Sequence, residues 1–436
     1  MKFIADFHIH SKYSRATSGE MDLIGIDKWA KIKGIKVIGS GDFTHPEWLK
    51  YLEQNLEPAE QGLFKLKKIS SATRFVLTAE ISCIYSTRAA AKTQAENLLS
   101  WPKKEKVRKI HLLILAPSFK IVKKINARLG RIGNLKSDGR PILGINAKEL
   151  VKIILDASDN CLIVPAHIMT PWFSVFGSKS GFDSLEECFE EYTDHIFAAE
   201  TGLSADPSML WAMPAGRKLT LISNSDAHSP SKLGREANVF EAELNYFSII
   251  KAIKTKDKSK FLYTVEFFPE EGKYYFDGHR NCHIRFSPQE SKKHKGVCPV
   301  CGKRLTIGVL SRVEELSDRP PGTKLETAIP YKSLVPLEEI IADSLKQSVN
   351  TKQVKKRYYE LIGKLGSEFN ILLDTAENDL KQACRPEISR AIIKVRQGKV
   401  IKEPGYDGLF GKIRIFEQED SQKRFSQKNL FYDKNY

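Results

Sequence analysis

The stretch DFHIHSKYS, residues 6–14, follows directly on the apolar run Phe3-Ile4-Ala5 and carries two of the chain's ten histidines. In an extended strand the side chains at i and i+2 share a face, so His8 and His10 at a strand end offer two imidazoles to one point in space. Neutral imidazole is the commonest metal-ligating side chain. The pair starts a metal site only if other ligands reach the same place, and working outward the chain supplies them. Asp42 closes VIGSGD, with His45 just beyond it in DFTHP. Glu80 closes FVLTAE, His167 closes LIVPAH, and Asp226 closes LTLISNSD, with His228 two residues on.

Five separate strand-like runs therefore each end on a histidine or an acid. Strands are expected over residues 2–7, 35–40, 75–81, 110–115, 161–166, 196–199 and 219–223. Amphipathic stretches over 21–33, 46–56, 117–129 and 146–156 alternate with them. This βαβα alternation predicts an α/β barrel or a parallel sheet. In a parallel barrel the C-terminal strand ends converge on one face, where active sites sit. A convergent set of imidazoles and carboxylates without thiolates suits Zn, Mn, Mg or Fe. About eight ligands exceed the four that one zinc takes, which implies two or three metals. Two metals about 4 Å apart can activate a water and stabilise the leaving oxygen of a phosphoester. No glycine-rich dinucleotide or P-loop motif interrupts the pattern, so no nucleotide cofactor is expected.

A second constellation lies further on. HRNC, residues 279–282, is followed by CPVC, residues 298–301. H-x₂-C and C-x₂-C each fit the turn that places two ligands on one tetrahedral ion. The expected ligands are His279, Cys282, Cys298 and Cys301, with His283 and His294 as rivals for the first place. Gly302 lets the backbone turn tightly after the second pair. Four protein ligands fill a zinc ion, so this site is expected to be structural.

The chain as a whole bounds the reading. At 436 residues it suits two or three domains. With 69 lysines and arginines against 53 acids, its net charge of +16 suits a polyanionic partner, nucleic acid first. Seven scattered cysteines argue for a reducing compartment and against a disulfide framework. No apolar run is long enough for a membrane span and no leader pattern opens the chain, so a cytoplasmic protein with no membrane partner is expected. Lysine-rich 251–260 marks a junction; 330–400 reads as helical, most clearly over 335–347 and 352–374.

These residues carry a family resemblance. The early H-x-H, the acid after the second strand, the glutamate of TAE, the histidine of IHLLIL, the PAH histidine and the final DAH resemble the PHP metal-dependent phosphoesterases. That resemblance implies a distorted seven-stranded α/β barrel, and it implies as metal ligands His8, His10, Asp42, His45, Glu80, His111, His167, Asp226 and His228. Only the resemblance brings in His111, which opens its apolar run. Arg15 stands where these proteins have an aspartate after the H-x-H. The further order GHRNC, CPVCGKRLTIGVLSRVEEL and EPGYDGLFGKIRIF is similar to the endonuclease Q family, over all but about the last fifteen residues.

The resemblance implies a PHP catalytic domain over 1–245, a zinc-binding module with a basic linker over 246–328, a C-terminal helical domain over 329–416 and a flexible tail over 417–436. The implied activity is hydrolysis of double-stranded DNA 5′ to deaminated bases (hypoxanthine, xanthine, uracil) and abasic sites. A metal-activated water would attack, with Asp226, His167 and Glu80 at the catalytic centre and the lesion nucleotide flipped out of the stack. Trp172, Phe173 and Phe176 are candidates to stack on the base or wedge the gap. Lys136 and Arg140 are candidates for a phosphate clamp, and the cations of 352–359 for a further DNA contact. Glu200, in AETG at another strand end, is grouped with these DNA-facing residues and is also expected to orient a ligand histidine. QKNLF, residues 427–431, is weighed as a sliding-clamp peptide. The alternatives are a phosphatase of a small phosphate ester, against which the zinc module and the charge count, and an inactive DNA-binding scaffold.

Overall fold

Polar residues start the helices where the pattern predicts. In the computed structural model, which describes residues 1–86 and 106–417, Asp22 caps Leu23–Lys33, Ser118 caps Phe119–Leu129 and Asn146 caps Ala147–Ala157. Each side chain accepts from backbone N–H groups that the first helical turn leaves unpaired. The expected clamp peptide at 427–431 lies outside the described residues.

The strands of the main body are β1 (Lys2–Asp6), β2 (Val37–Gly39), β3 (Leu56–Pro58), β4 (Phe64–Leu66), β5 (Arg74–Ser86), β6 (Val107–Ala116), β7 (Ile142–Leu143), β8 (Leu162–Pro165), β9 (Ala198–Glu200), β10 (Thr220–Ile222), β11 (Ala237–Glu241) and β12 (Phe261–Glu266). All seven expected strands are present. Most join an eleven-stranded sheet, and β9 and β10 form a parallel pair of their own. Along β6, Leu112 and Ile114 face one apolar layer and Leu113 and Leu115 the other, so both faces of the sheet are buried.

The sheet is mixed, which corrects the expectation of parallel strands. β1 pairs in parallel with β2, and β2 with β5. β6, however, runs antiparallel to β5 from Leu77↔Ala116 to Ser86↔Val107, and β8 is antiparallel to β6. β11 and β12 add antiparallel strands beyond β1.

The sheet also crosses both expected domain boundaries. β12 lies beyond residue 245, and a later strand, Tyr331–Ser333, pairs in parallel with it. Between them sits the cysteine-bearing module, held by Arg312, whose buried guanidinium donates to the carbonyls of Phe176 (3.1 Å) and Phe182 (2.9 Å). The expected helices appear as Leu337–Leu345 and Lys352–Leu365, followed by Glu377–Ala383 and Pro386–Arg396. A buried ion pair, Lys33 to Glu368 at 2.6 Å, ties these helices to the first helix of the chain, and Tyr358 donates to the same carboxylate. No helix among the described residues is long and apolar enough to cross a membrane.

Candidate metal centres

His8 and His10 leave the end of β1 fully buried, with their rings 5.4 Å apart. The sequence expected the pair to face one point, and it does. His8 Nε2 lies 3.6 Å from Glu80 and 3.7 Å from Asp226; His10 Nε2 lies 3.4 Å and 3.1 Å from the same carboxylates. His8, His10, Glu80 and Asp226 thus form one potential donor group, and Glu80, His111 and His167 form a second. Glu80 belongs to both. Its Oε2 faces His8 and His10, while its Oε1 lies 2.7 Å from His111 Nδ1 and 3.0 Å from His167 Nε2.

Both H-x-H rings have their second nitrogen engaged from behind. His8 Nδ1 lies 3.0 Å from each oxygen of Glu200, whose position Asn224 fixes by a 2.9 Å bond. His10 Nδ1 lies 3.1 Å from Asp42. A carboxylate behind the ring sets the tautomer and leaves Nε2 as the donor atom. His8 Nε2 is buried without a hydrogen-bond partner, the signature of an atom placed to ligate.

Burial alone would raise the Glu80 carboxyl, but the imidazoles of His111 and His8 and the bonds from His10 and His111 hold it well below the usual carboxylate range. Burial pushes the His111 imidazole down to about 4, whereas the neighbouring carboxylates outweigh burial at His8, His10 and His167 and hold those imidazoles up, so a bound cation would take the place of their protons. Asp42, His167 and Asp226 have φ of +48°, +32° and +47°. Such strain in non-glycine residues gathers at functional sites, and here it turns three strand-end side chains inward.

Several expected ligands stand elsewhere. Asp42 is behind His10, and its other oxygen accepts from the Ser11 N–H (2.6 Å), the Ser11 hydroxyl (2.7 Å) and the Ser14 hydroxyl (2.8 Å). His45 caps a helix, stacks on Tyr13 at 4.4 Å and reaches the Lys136 carbonyl at 3.3 Å, outside both groups. His228 lies at the rim, its ring 4.4 Å from His10 and its Nδ1 2.9 Å from the Asp226 carbonyl, outside both groups as well.

Above the centre opens a cavity of about 530 Å³, lined by His111, His167 and Asp226 and walled by Trp172, Phe173 and Tyr274. Trp172 is exposed and meets Tyr274 edge to face at 5.4 Å. Arg140 reaches Glu80 at 3.0 Å, and Arg15 stands on the rim beside Asp138. The cavity thus joins two guanidiniums, the donor groups and an aromatic wall. Phe176 is core, 2% exposed, and is corrected as a base-stacking candidate. Glu200 is equally buried, so it orients His8 and does not face DNA. Lys136 is exposed, its side chain outside the cavity. Sequence reasoning missed Tyr274 and Asn224, because neither ends an apolar run nor repeats a motif.

The second centre is local. Two strands, β13 (Asp277–His279) and β14 (Ile284–Phe286), form a hairpin that presents His279 and Cys282. The Cys298–Cys301 turn closes with Gly302 N–H on the Cys298 carbonyl at 2.9 Å, Gly302 at φ +70°. His279, Cys282, Cys298 and Cys301 gather as one donor group, as the spacing predicts, while His294 stacks on Phe286. This set fits a tetrahedral zinc.

Residues 336–399 match the MJ0043 C-terminal domain. An uncharacterised protein of Bacillus subtilis, YqxK, is 30% identical over 95% of this chain and 99% of its own length. Protein MJ0043 of Methanocaldococcus jannaschii, also uncharacterised, is 37% identical over 57% of this chain, and the match spans about a third (32%) of its length. A lesion-specific endonuclease from Pyrococcus furiosus is 31% identical, with a TM-score of 0.82 over 97% of this chain and 99% of that one. Similar too, at 31% identity and a TM-score of 0.80 over 96% and 98% of the two chains, is endonuclease Q in complex with a 27-mer duplex substrate bearing an abasic lesion at the active site.

Proposed function

The chain belongs to the endonuclease Q family, and on that premise we propose that it is a DNA repair endonuclease. It hydrolyses the phosphodiester 5′ to a deaminated base (hypoxanthine, xanthine or uracil) or an abasic site, leaving a 3′-hydroxyl and a 5′-phosphate on the lesion side. The observation that carries this reading is the pair of donor groups that share Glu80, three of whose members, His111, His167 and Asp226, line an aromatic-walled cavity.

Two divalent cations, held by His8, His10, Glu80 and Asp226 and by Glu80, His111 and His167, would supply Lewis acidity and a water of lowered pKa. The chain's own groups do the rest. Glu80 keeps the two donor groups in one geometry. Glu200 and Asp42 hold the H-x-H rings in the ligating tautomer. Arg140 and Arg15 stand where a phosphate entering the cavity would meet them, and a guanidinium grips such a group by paired hydrogen bonds. The lesion nucleotide leaves the stack and enters the cavity against Trp172, Phe173 and Tyr274. Hypoxanthine and uracil pair weakly with the bases they face, so their flipping costs less than that of a normal base. The zinc module and the charge of +16 favour duplex DNA over a small ester.

The test is a labelled duplex carrying one deoxyinosine, one uracil or one abasic site, incubated with Mg²⁺, Mn²⁺ or Zn²⁺ or with chelator. A single metal-dependent nick 5′ to the lesion is expected. Turnover of a small phosphate ester without nicking would replace this reading by the phosphatase.

A further inference from the structure

The loop Pro404-Gly405-Tyr406-Asp407-Gly408-Leu409-Phe410-Gly411 has no part in either metal centre. It joins β16 (Ile401–Glu403) to β17 (Lys412–Arg414), an antiparallel hairpin in register Ile401↔Arg414 to Glu403↔Lys412, preceded in chain order by the Tyr331–Ser333 strand, β15. Leu409 is 41% exposed and Phe410 71%, the most exposed large hydrophobic among the described residues. The two are adjacent, so the turn tip offers a contiguous apolar surface to the solvent.

The loop is held rigidly. Gly405 N–H donates to Glu270 (2.8 Å), Gly408 N–H to Lys273 (3.0 Å) and Gly411 N–H to Glu271 (3.0 Å), all backbone carbonyls. Asp407 accepts from the Arg280 N–H at 2.7 Å. Glycine is required at two of these points: Gly408 has φ +87°, and a Cβ on Gly411 would lie 2.0 Å from the Glu270 carbonyl oxygen. The backbone is fixed and only the two apolar side chains project.

What the loop is anchored to decides what they do. A Cβ on Gly408 would stand 3.7 Å from the Tyr274 hydroxyl and 3.5 Å from the Arg280 guanidinium. Tyr274 is itself a wall of the catalytic cavity, edge on to Trp172. The tip therefore sits one residue's width from the mouth of the cavity. Cations surround it: Lys273 Nζ lies 4.4 Å over the Phe410 ring, and Arg280 and Lys412 are exposed beside it. An apolar tip framed by cations matches a duplex, in which charged phosphates flank a stacked apolar interior.

We propose that Leu409 and Phe410 form the wedge that enters the DNA stack at the lesion and fills the gap left by the flipped nucleotide. This rests on the endonuclease reading above and moves the wedge from Trp172 and Phe173, which remain cavity walls. The nucleotide passes Tyr274 into the cavity, and the Phe410 ring takes up the vacated stacking.

The experiment compares wild type, Phe410→Ala, the double variant Leu409→Ala/Phe410→Ala, and Phe410→Trp. Affinity is read by fluorescence anisotropy on duplexes with and without one deoxyinosine and on the same lesion in a single strand, with nicking followed in parallel. A side chain this exposed is dispensable for folding, and circular dichroism checks that. The duplex-to-single-strand affinity ratio for the lesion falls about tenfold in Phe410→Ala, the size of a lost aromatic–base stack. It falls further in the double variant and is restored by Phe410→Trp. Equal losses on duplex and single strand, or no loss, overturn the wedge while wild-type nicking upholds the nuclease. A wild type that nicks nothing and binds plain and lesion duplex alike overturns both.

Discussion

The two candidate metal centres are built on opposite plans. The cysteine-bearing module takes its four donors from residues 279–301, on one hairpin and one turn, with Cys301 at the surface. The cluster under the cavity collects donors between His8 and Asp226 from separate strands and strand ends of the body, and its histidines and Glu80 are buried. The local site is closed, with four ligands for one ion, and fits a structural role. The dispersed one shares Glu80 between two groups, strains its backbone at three positions and opens to a cavity. Local spacing suffices to hold an ion, whereas chemistry at a phosphate needs several groups fixed by the whole fold around an open space.

Glu80→Ala tests that difference most severely. It should empty both donor groups and lower nicking on the order of a thousandfold or more, with metal content measured alongside; a variant that keeps two bound metals would break the claim of a shared bridge. Cys298→Ser probes the other plan. One zinc equivalent should be lost and the 277–312 segment should become protease-sensitive, since ion binding of this kind contributes on the order of 10 kcal/mol to folding. Retained cavity metals in the same sample would confirm that the centres are independent.

A milder change acts on the carboxylate behind His8. Glu200→Gln keeps the shape but weakens the grip on His8, so metal affinity at the catalytic centre should fall by about 10- to 100-fold, read by chelator competition. Unchanged affinity would remove Glu200 from the orienting role.

The smallest effect contrasts two buried acids. Glu80 is held ionised by imidazoles, whereas burial pushes Glu266 up to about 8 despite bonds from Thr264, Ser223 and Thr201. Between the unfolded value of about 4.5 and 8, the folded state keeps the proton that the unfolded state has released. Stability therefore falls as pH rises through that window. Glu266→Gln should flatten the decline of Tm between pH 5 and 8, measured by calorimetry, and an unaltered slope would place the titration elsewhere.

Much of this was legible in the chain. The strand-end acids and histidines pointed to residues that gather into the two buried donor groups, and H-x₂-C with C-x₂-C to those of the third. Asp42 and Glu80 look alike in that pattern, since both end an apolar run. One stands behind His10 and the other bridges two groups, a distinction set by which neighbours each strand end meets. His111 opens its run instead of closing it because β6 runs antiparallel to β5, which places Ser82 opposite His111 and brings the start of one strand to the end of the other.

By itself the sequence determined what depends on short spacing: the i, i+2 pair of His8 and His10, the cysteine turn, the capped helices and the alternation of strands and helices. Backbone geometry fixes those over a few residues, whatever surrounds them. Only the tertiary structure decided that Glu80 is shared, that Asp42 and Glu200 stand behind the rings, and that Tyr274 links the cavity to the tip at Leu409 and Phe410. These are contacts between residues tens to hundreds of positions apart, and they exist only once packing has chosen which strand ends and loops lie side by side.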